Sequence, residues 1–253
     1  MAREWTIDGP VYEIDWGGER WALSLESSTP GLRFPPFGPL LALEGVSEPA
    51  RGERGIFSDA ALLGHECRFN RVEATFAPRD WSELFVRAAW SPWEEAGMDL
   101  EVQVHALTVD RLRALEVTIL SAFAPLPEQG SLRSVEPRDR FSAAMSYDGR
   151  EDDLNGLVSG PVGLITTPWL APKSGREGWT YVEMARPQDL SRRIHEGRLP
   201  FVATRYGLFG HDLEKGVVLR ARLRALWLPK SIAFTEAERA FTDFLNEPPP
   251  LTT

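Results

Sequence analysis

Between Val217 and Leu228 the sequence alternates so strictly that only an extended backbone can serve both of its faces. Val217, Leu219, Ala221, Leu223, Ala225 and Trp227 share one parity and are all apolar, while Val218, Arg220, Arg222, Arg224, Leu226 and Leu228 share the other. Period two over this length is a β-strand with one packed and one partly polar face. A helix would scatter the three arginines, because each step of two residues turns it by about 200°. A second run precedes this strand from Leu199 onward, and the polar stretch GHDLEKG lies between them. Residues 199–229 therefore read as a central hairpin with an arginine row on one face.

The rest of the chain repeats the same texture. Val11–Trp16 and Arg20–Ser28 are strand candidates joined by Gly17-Gly18, a pair that accepts the positive φ of a tight turn. Residues 29–39 are proline-rich and read as an irregular loop. Arg68–Phe76, Leu84–Trp90, Asp99–Leu107 and Leu112–Phe123 follow in succession with turn-rich connections, the pattern of an antiparallel meander. Further candidates are Phe141–Tyr147, Val162–Leu170 and Trp179–Ala185, and residues 187–197 read as a short helix or turn. Thr235 and Glu238 fit a capping box that opens an apolar-striped helix ending near Asn246. The fold class expected is all-β: a large antiparallel β-sandwich with a short C-terminal helix, spanning residues 1–253 as one domain. Leu219, Leu223, Trp227, Val102, Val104, Val117 and Ile119 are its expected core.

Composition removes several function classes. A net charge of −9 opposes general nucleic-acid binding, which needs a basic face to displace counterions. Cys67 is the single cysteine, which excludes an intrachain disulfide and a thiolate zinc cluster and fits a reducing compartment. MAREWTIDGP carries no apolar signal core, and no apolar run approaches the ~20 residues that span a bilayer. The setting expected is cytoplasmic, with neither nucleic acid nor membrane as partner; the oligomeric state is open. Dinucleotide, P-loop and hydrolase-elbow motifs are absent, and His65-Glu66 lacks the second histidine of a zinc-protease helix because position 69 is Phe69. The acidic run Asp148–Asn155 does not have EF-hand spacing. Neither a metal nor a cofactor is expected.

What remains is a short set of candidates. Trp179, Tyr181 and Glu183 share one face of a strand, and aromatic rings beside a carboxylate are the parts of a sugar site. A core aromatic pair beside a surface glutamate fits equally. His211 and Asp212 lie in the loop after a strand bearing Arg205 and Tyr206, where a solvated tip is the alternative. His105 alternates with Glu101 on another strand. Glu73, Glu101 and Glu116 can pair across strands with Arg71, Arg220, Arg222 and Arg224, or the arginines can face an anionic ligand.

The strands RVEATFAP, LFVRAAW, MDLEVQVHAL and LRALEVTIL, in an acidic, aromatic-rich chain, resemble the galactose-mutarotase-like β-supersandwich superfamily over residues 65–229. The resemblance implies a histidine–glutamate acid–base pair acting on a sugar's ring oxygen and anomeric hydroxyl. Glu183 with His211 or His105 would fill those roles. Trp179, Tyr181, Arg205, Tyr206, Asp212 and Arg222 would then bind a small-molecule carbohydrate. The superfamily also holds lyases, hydrolase domains and non-catalytic modules, so a carbohydrate-binding or accessory domain is the competing expectation.

Overall fold

The computed structural model describes residues 4–8, 11–16, 19–33, 38–48, 54–57, 61–95, 97–107, 111–123, 165–169, 179–196, 202–229 and 233–248. Sixteen strands and one α-helix occur among them. Strands β1 (Thr6–Asp8), β2 (Val11–Trp16), β3 (Glu19–Ser24) and β4 (Gly31–Arg33) form a four-stranded sheet in sequence order. The Val11–Trp16 hairpin partner expected from the two glycines is thus present, with Trp16 opposite Glu19.

Two larger sheets face one another. The seven-stranded sheet contains β7 (Leu62–Arg68), β8 (Arg71–Phe76), β9 (Leu84–Trp93), β10 (Gly97–Ala106), β12 (Ile165–Trp169), β13 (Trp179–Ala185) and β16 (Val218–Pro229). Its order is β12-β13-β16-β10-β9-β8-β7. The five-stranded sheet contains β5 (Ala42–Ser47), β6 (Arg54–Gly55), β11 (Leu112–Phe123), β14 (Leu190–Glu196) and β15 (Val202–Leu213), in the order β14-β15-β11-β5-β6. All pairings are antiparallel among the described strands. The architecture is an all-β sandwich with a helix, α1 (Ala233–Asn246), near the C-terminus.

Three expectations are corrected. β15 and β16 do not form a hairpin: β15 pairs with β11 and β14, and β16 with β10 and β13. The turn Glu214–Val217, closed by a 3.0 Å bond from Val217 N–H to the Glu214 carbonyl, carries the chain from one sheet to the other. Alternation is satisfied equally by strands that lie edge to edge and by strands that face each other across a core, so the pattern did not separate the two. For the same reason Leu112–Phe123 leaves the meander, which ends at β10, and crosses to the five-stranded sheet. Residues 190–196 form a strand, not a helix or turn, after a single 3₁₀ turn at Pro187–Asp189; pairing with β15 overrides a weak local pattern. Phe141–Tyr147 and the acidic run Asp148–Asn155 lie outside the described residues.

The core fills the space between the sheets. Leu223, Val102, Val104, Val117 and Ile119 are fully buried, Trp227 is nearly so, and Leu219 packs against them at the margin. The four-stranded sheet adds Trp16 and Trp21, whose rings stand 6.0–6.4 Å from those of Tyr181 and Trp227, edge-on or tilted. A second apolar cluster joins Val182, Met184, Leu226 and Leu228 to Ala237, Ala240, Phe241 and Phe244 of α1, on the outer face of the seven-stranded sheet.

Candidate functional site

Glu183 points inward from β13 and is 1 % exposed. Tyr181 donates to its Oε1 at 2.6 Å, Ser121 donates to the same oxygen, and Tyr206 donates to Oε2 at 3.0 Å. Burial raises the Glu183 pKa above the ordinary carboxyl value, against the three hydroxyl bonds that favour the carboxylate. Burial and the adjacent carboxylate push the Tyr181 and Tyr206 phenols well above theirs. This gathers three of the sequence candidates, Glu183, Tyr181 and Tyr206, into one polar knot between the sheets. Trp179 opens β13 opposite Pro229, and its side chain lies outside the described residues.

The histidines are elsewhere. His105 pairs with Val218 and Glu183 with Ala225, seven residues apart on β16, which is about 23 Å of strand. They also occupy opposite faces, since Ala225 is in the core and Val218 belongs to the arginine parity. Burial, then Arg220 and Arg87, lower the His105 pKa. His211 is exposed on β15, five residues or about 16 Å of strand beyond Tyr206. Asp212 accepts a 2.9 Å bond from Ala114 N–H and pairs with Arg111. Both bonds, the backbone one first, lower its pKa, and they pin the bulge where Ala114 has φ 47°. No histidine bonds Glu183 among the described residues.

The arginine row is built into the sheet. Arg222 reaches Glu101 at 2.8 Å and Glu247 at 2.7 Å, and its N–H donates to Asp189. Arg224, 1 % exposed, grips Asp99 through two bonds of 2.7 and 2.8 Å and lies 3.9 Å over the Trp93 ring. Glu247, just beyond α1, bonds both arginines and so anchors the helix end. Arg186 completes the anchor by donating to the carbonyls of Phe244 and Glu247, which the helix leaves unsatisfied. Cross-strand pairing of Glu101 with Arg222 and Arg71 is therefore present, whereas Glu116 belongs to the other sheet and meets Arg192.

An open depression of about 370 Å³ lies on the solvent face of the five-stranded sheet, lined by Ser47, Arg54, Thr118, Arg192, Ile194, Arg205 and Gly207. Its floor follows from register. Thr118 on β11 is opposite Gly45 on β5 and Gly207 on β15, so three neighbouring strands present one short side chain between two that have none. A Cβ at Gly207 would collide with the Glu116 carboxylate, with Arg192 Cγ at 2.8 Å and with Ser191 Oγ at 2.9 Å. One at Gly45 would collide with Arg54 Nε and stand 2.9 Å from the Gly55 carbonyl. The glycines thus let charged side chains lie low across the sheet.

Glu44 and Glu116 hold these arginines. Glu44 Oε2 is 2.8 Å from both Arg54 Nη2 and Arg205 Nε, and Glu116 Oε1 accepts from Arg192 Nε at 2.9 Å and Ser191 Oγ at 2.5 Å. Burial would raise the Glu44 pKa, but Arg205 and Arg54 outweigh it and hold it below the ordinary value. Of the sequence candidates only Arg205 lies here. Gly207, a glycine inside a strand run, was the available signal for the rest.

No family model matches the chain, and no curated protein matches its sequence. Among solved structures it is similar to a protein from Escherichia coli K12 provisionally assigned as an aldose 1-epimerase, at 10% identity and TM-score 0.44, over 90% of this chain and 99% of that one. It is also similar to heparan sulfate lyase HepC from Pedobacter heparinus (6% identity, TM-score 0.45, 89% and 36% of the two chains). A third is the α-N-acetylgalactosaminidase NagBb from Bifidobacterium bifidum (14% identity, TM-score 0.46, 96% and 37%). The chain spans about a third of the length of the last two.

Proposed function

We propose that this protein is a saccharide-binding β-sandwich module, and that its ligand lies in the depression over Gly45, Thr118 and Gly207. The observation that carries the reading is a floor in register across three strands, where Gly45, Thr118 and Gly207 let arginine side chains lie low beside the hydroxyls of Ser47 and Thr118. A polyhydroxylated ring needs a shallow seat with paired donors and acceptors, and Arg192–Glu116 and Arg205–Glu44 offer both within one hydrogen-bond network. The same reading assigns Glu183 a role inside the sandwich. A base must come within about 2.6–3.2 Å of the proton it takes, and Glu183 is enclosed by Ser121, Tyr181 and Tyr206.

The test is a panel of saccharides screened by thermal shift, followed by calorimetry on the hits. A saccharide at a hundred times its Kd stabilises the fold by about 2.7 kcal/mol. Gly207→Ala, whose methyl group would push Glu116, Arg192 and Ser191 out of place, is expected to abolish the shift, and Glu183→Gln to preserve it. The same saccharides are followed by polarimetry, where no acceleration of anomer exchange is expected. Binding lost in Glu183→Gln and kept in Gly207→Ala would return the site to the sandwich interior and the function to acid–base catalysis.

A further inference from the structure

We infer that the ligand of this depression carries an oxyanion, a carboxylate or sulfate borne on the sugar; the inference rests on the saccharide reading above. Three guanidiniums, Arg54, Arg192 and Arg205, line the depression, and Glu44 and Glu116 bond them. One carboxylate, Glu44, is shared by two of the arginines. This cluster of arginines stands in a chain whose net charge is −9, so it does not follow from composition.

The way each guanidinium is held matters more than the count. Arg192 is tethered to Glu116 through Nε, which leaves its outer edge, both Nη groups, on a side chain that is 45% exposed. Arg54 is tethered to Glu44 through Nη2 and its side chain is 42% exposed. A guanidinium fixed at one edge and open at another is a preorganised fork for a planar or tetrahedral oxyanion, which it meets with two parallel N–H bonds. The two forks stand at opposite ends of the floor, Arg54 over Gly45 and Arg192 beside Gly207, two strand spacings or about 10 Å apart. Thr118 lies between them. Ser191 shares Glu116 with Arg192, which holds that carboxylate down and keeps it from swinging over the fork. The buried arginine row on the other sheet has no such open edge: Arg224 is 1% exposed, and Asp99 and Glu247 cover it.

The experiment compares neutral galactotriose, trigalacturonate and a 6-sulfated galactotriose by calorimetry against the whole chain, at low and high salt. At least one acidic trisaccharide is expected to bind ten-fold or more tighter than the neutral one and to lose that margin at high salt. Trigalacturonate binding would identify a carboxylate, and the sulfated sugar a sulfate. Arg192→Ala is expected to bring the acidic sugar to the affinity of the neutral one. Arg192→Lys is expected to recover only part of it, because a point charge replaces a fork. Arg239→Ala, on α1, is the control for loss of any one positive charge, with melting curves confirming that every variant folds. Equal affinity for neutral and acidic sugars, or Arg239→Ala matching Arg192→Ala, overturns the oxyanion inference and leaves the saccharide reading standing. No binding by any of the three overturns both.

Discussion

Tyr206 donates a 3.0 Å hydrogen bond to Glu183 Oε2 from the opposite sheet of the sandwich. With Ser121, also on the five-stranded sheet, and Tyr181 beside it on β13, it surrounds a carboxyl group with three hydroxyl donors. A buried carboxyl is costly unless its oxygens are satisfied, and here both are, by hydroxyls from two layers. The knot therefore fixes how the two sheets register against each other. Tyr206→Phe leaves Oε2 without that donor in a dry interior and should cost about 1–3 kcal/mol in urea unfolding. A midpoint equal to wild type would mean that the two sheets are aligned by apolar packing alone.

The same group gives a pH dependence whose sign can be worked out. Burial raises the folded-state pKa of Glu183, so the folded chain holds this proton more tightly than the unfolded chain does. Its contribution to stability is full below the ordinary carboxyl value of about 4.3 and is lost as pH rises through the raised folded value. Glu183→Gln removes the titration. Wild type is thus expected to lose stability relative to Glu183→Gln as pH rises through that window, measured as the difference of melting temperatures. Parallel curves would show that the hydroxyl bonds outweigh burial and that the carboxylate is held at its ordinary pKa.

Arg224 and Arg222 are two residues apart in sequence and differ in what their loss leaves behind. Arg224→Ala strands Asp99 in the interior, and breaking a buried pair from one side costs about 3–5 kcal/mol. Arg222→Ala leaves Glu101 with Arg71 and Glu247 with Arg224, so a loss of about 1 kcal/mol is expected. Chemical denaturation of both variants decides it, and equal losses would refute the difference.

Phe69 and Asn70 form the β7–β8 turn with φ of 47° and 60°, a geometry that suits asparagine and glycine. The Phe69 side chain is fully exposed and so contributes no burial in return. Phe69→Asn is expected to stabilise the fold by about 0.5–1 kcal/mol through the turn alone. A drop in melting temperature would show that the ring makes a contact that this chain by itself does not display.

Leu223 lies fully buried at the centre of β16. Leu223→Ala should cost about 2–5 kcal/mol, the transfer loss of the side chain plus the cavity it leaves. A loss under about 0.5 kcal/mol, the range of surface substitutions, would be incompatible with a closed core at this position.

Local chemistry alone was enough to determine the long strands, their buried parity and the presence of a helix after them, but not the short strands Gly31–Arg33 and Leu190–Glu196 or the helix start at Ala233. Val217 to Leu228 could only be extended, and its alternation named Leu223 and Trp227 as interior before any partner was known. Sheet membership was beyond reach of that reasoning. Period two records which face is dry, not which strand lies alongside, so the β15–β16 arch had the same sequence signature as a hairpin. The consequence for the site is direct. Placing β15 in the five-stranded sheet turns Tyr206 inward onto Glu183 and Arg205 outward toward Glu44, two neighbours in sequence on opposite surfaces of one layer. Gly45, Thr118 and Gly207 have little meaning in order along the chain. They become a floor only because antiparallel pairing sets them side by side, a long-range choice made by the packing of the whole sandwich.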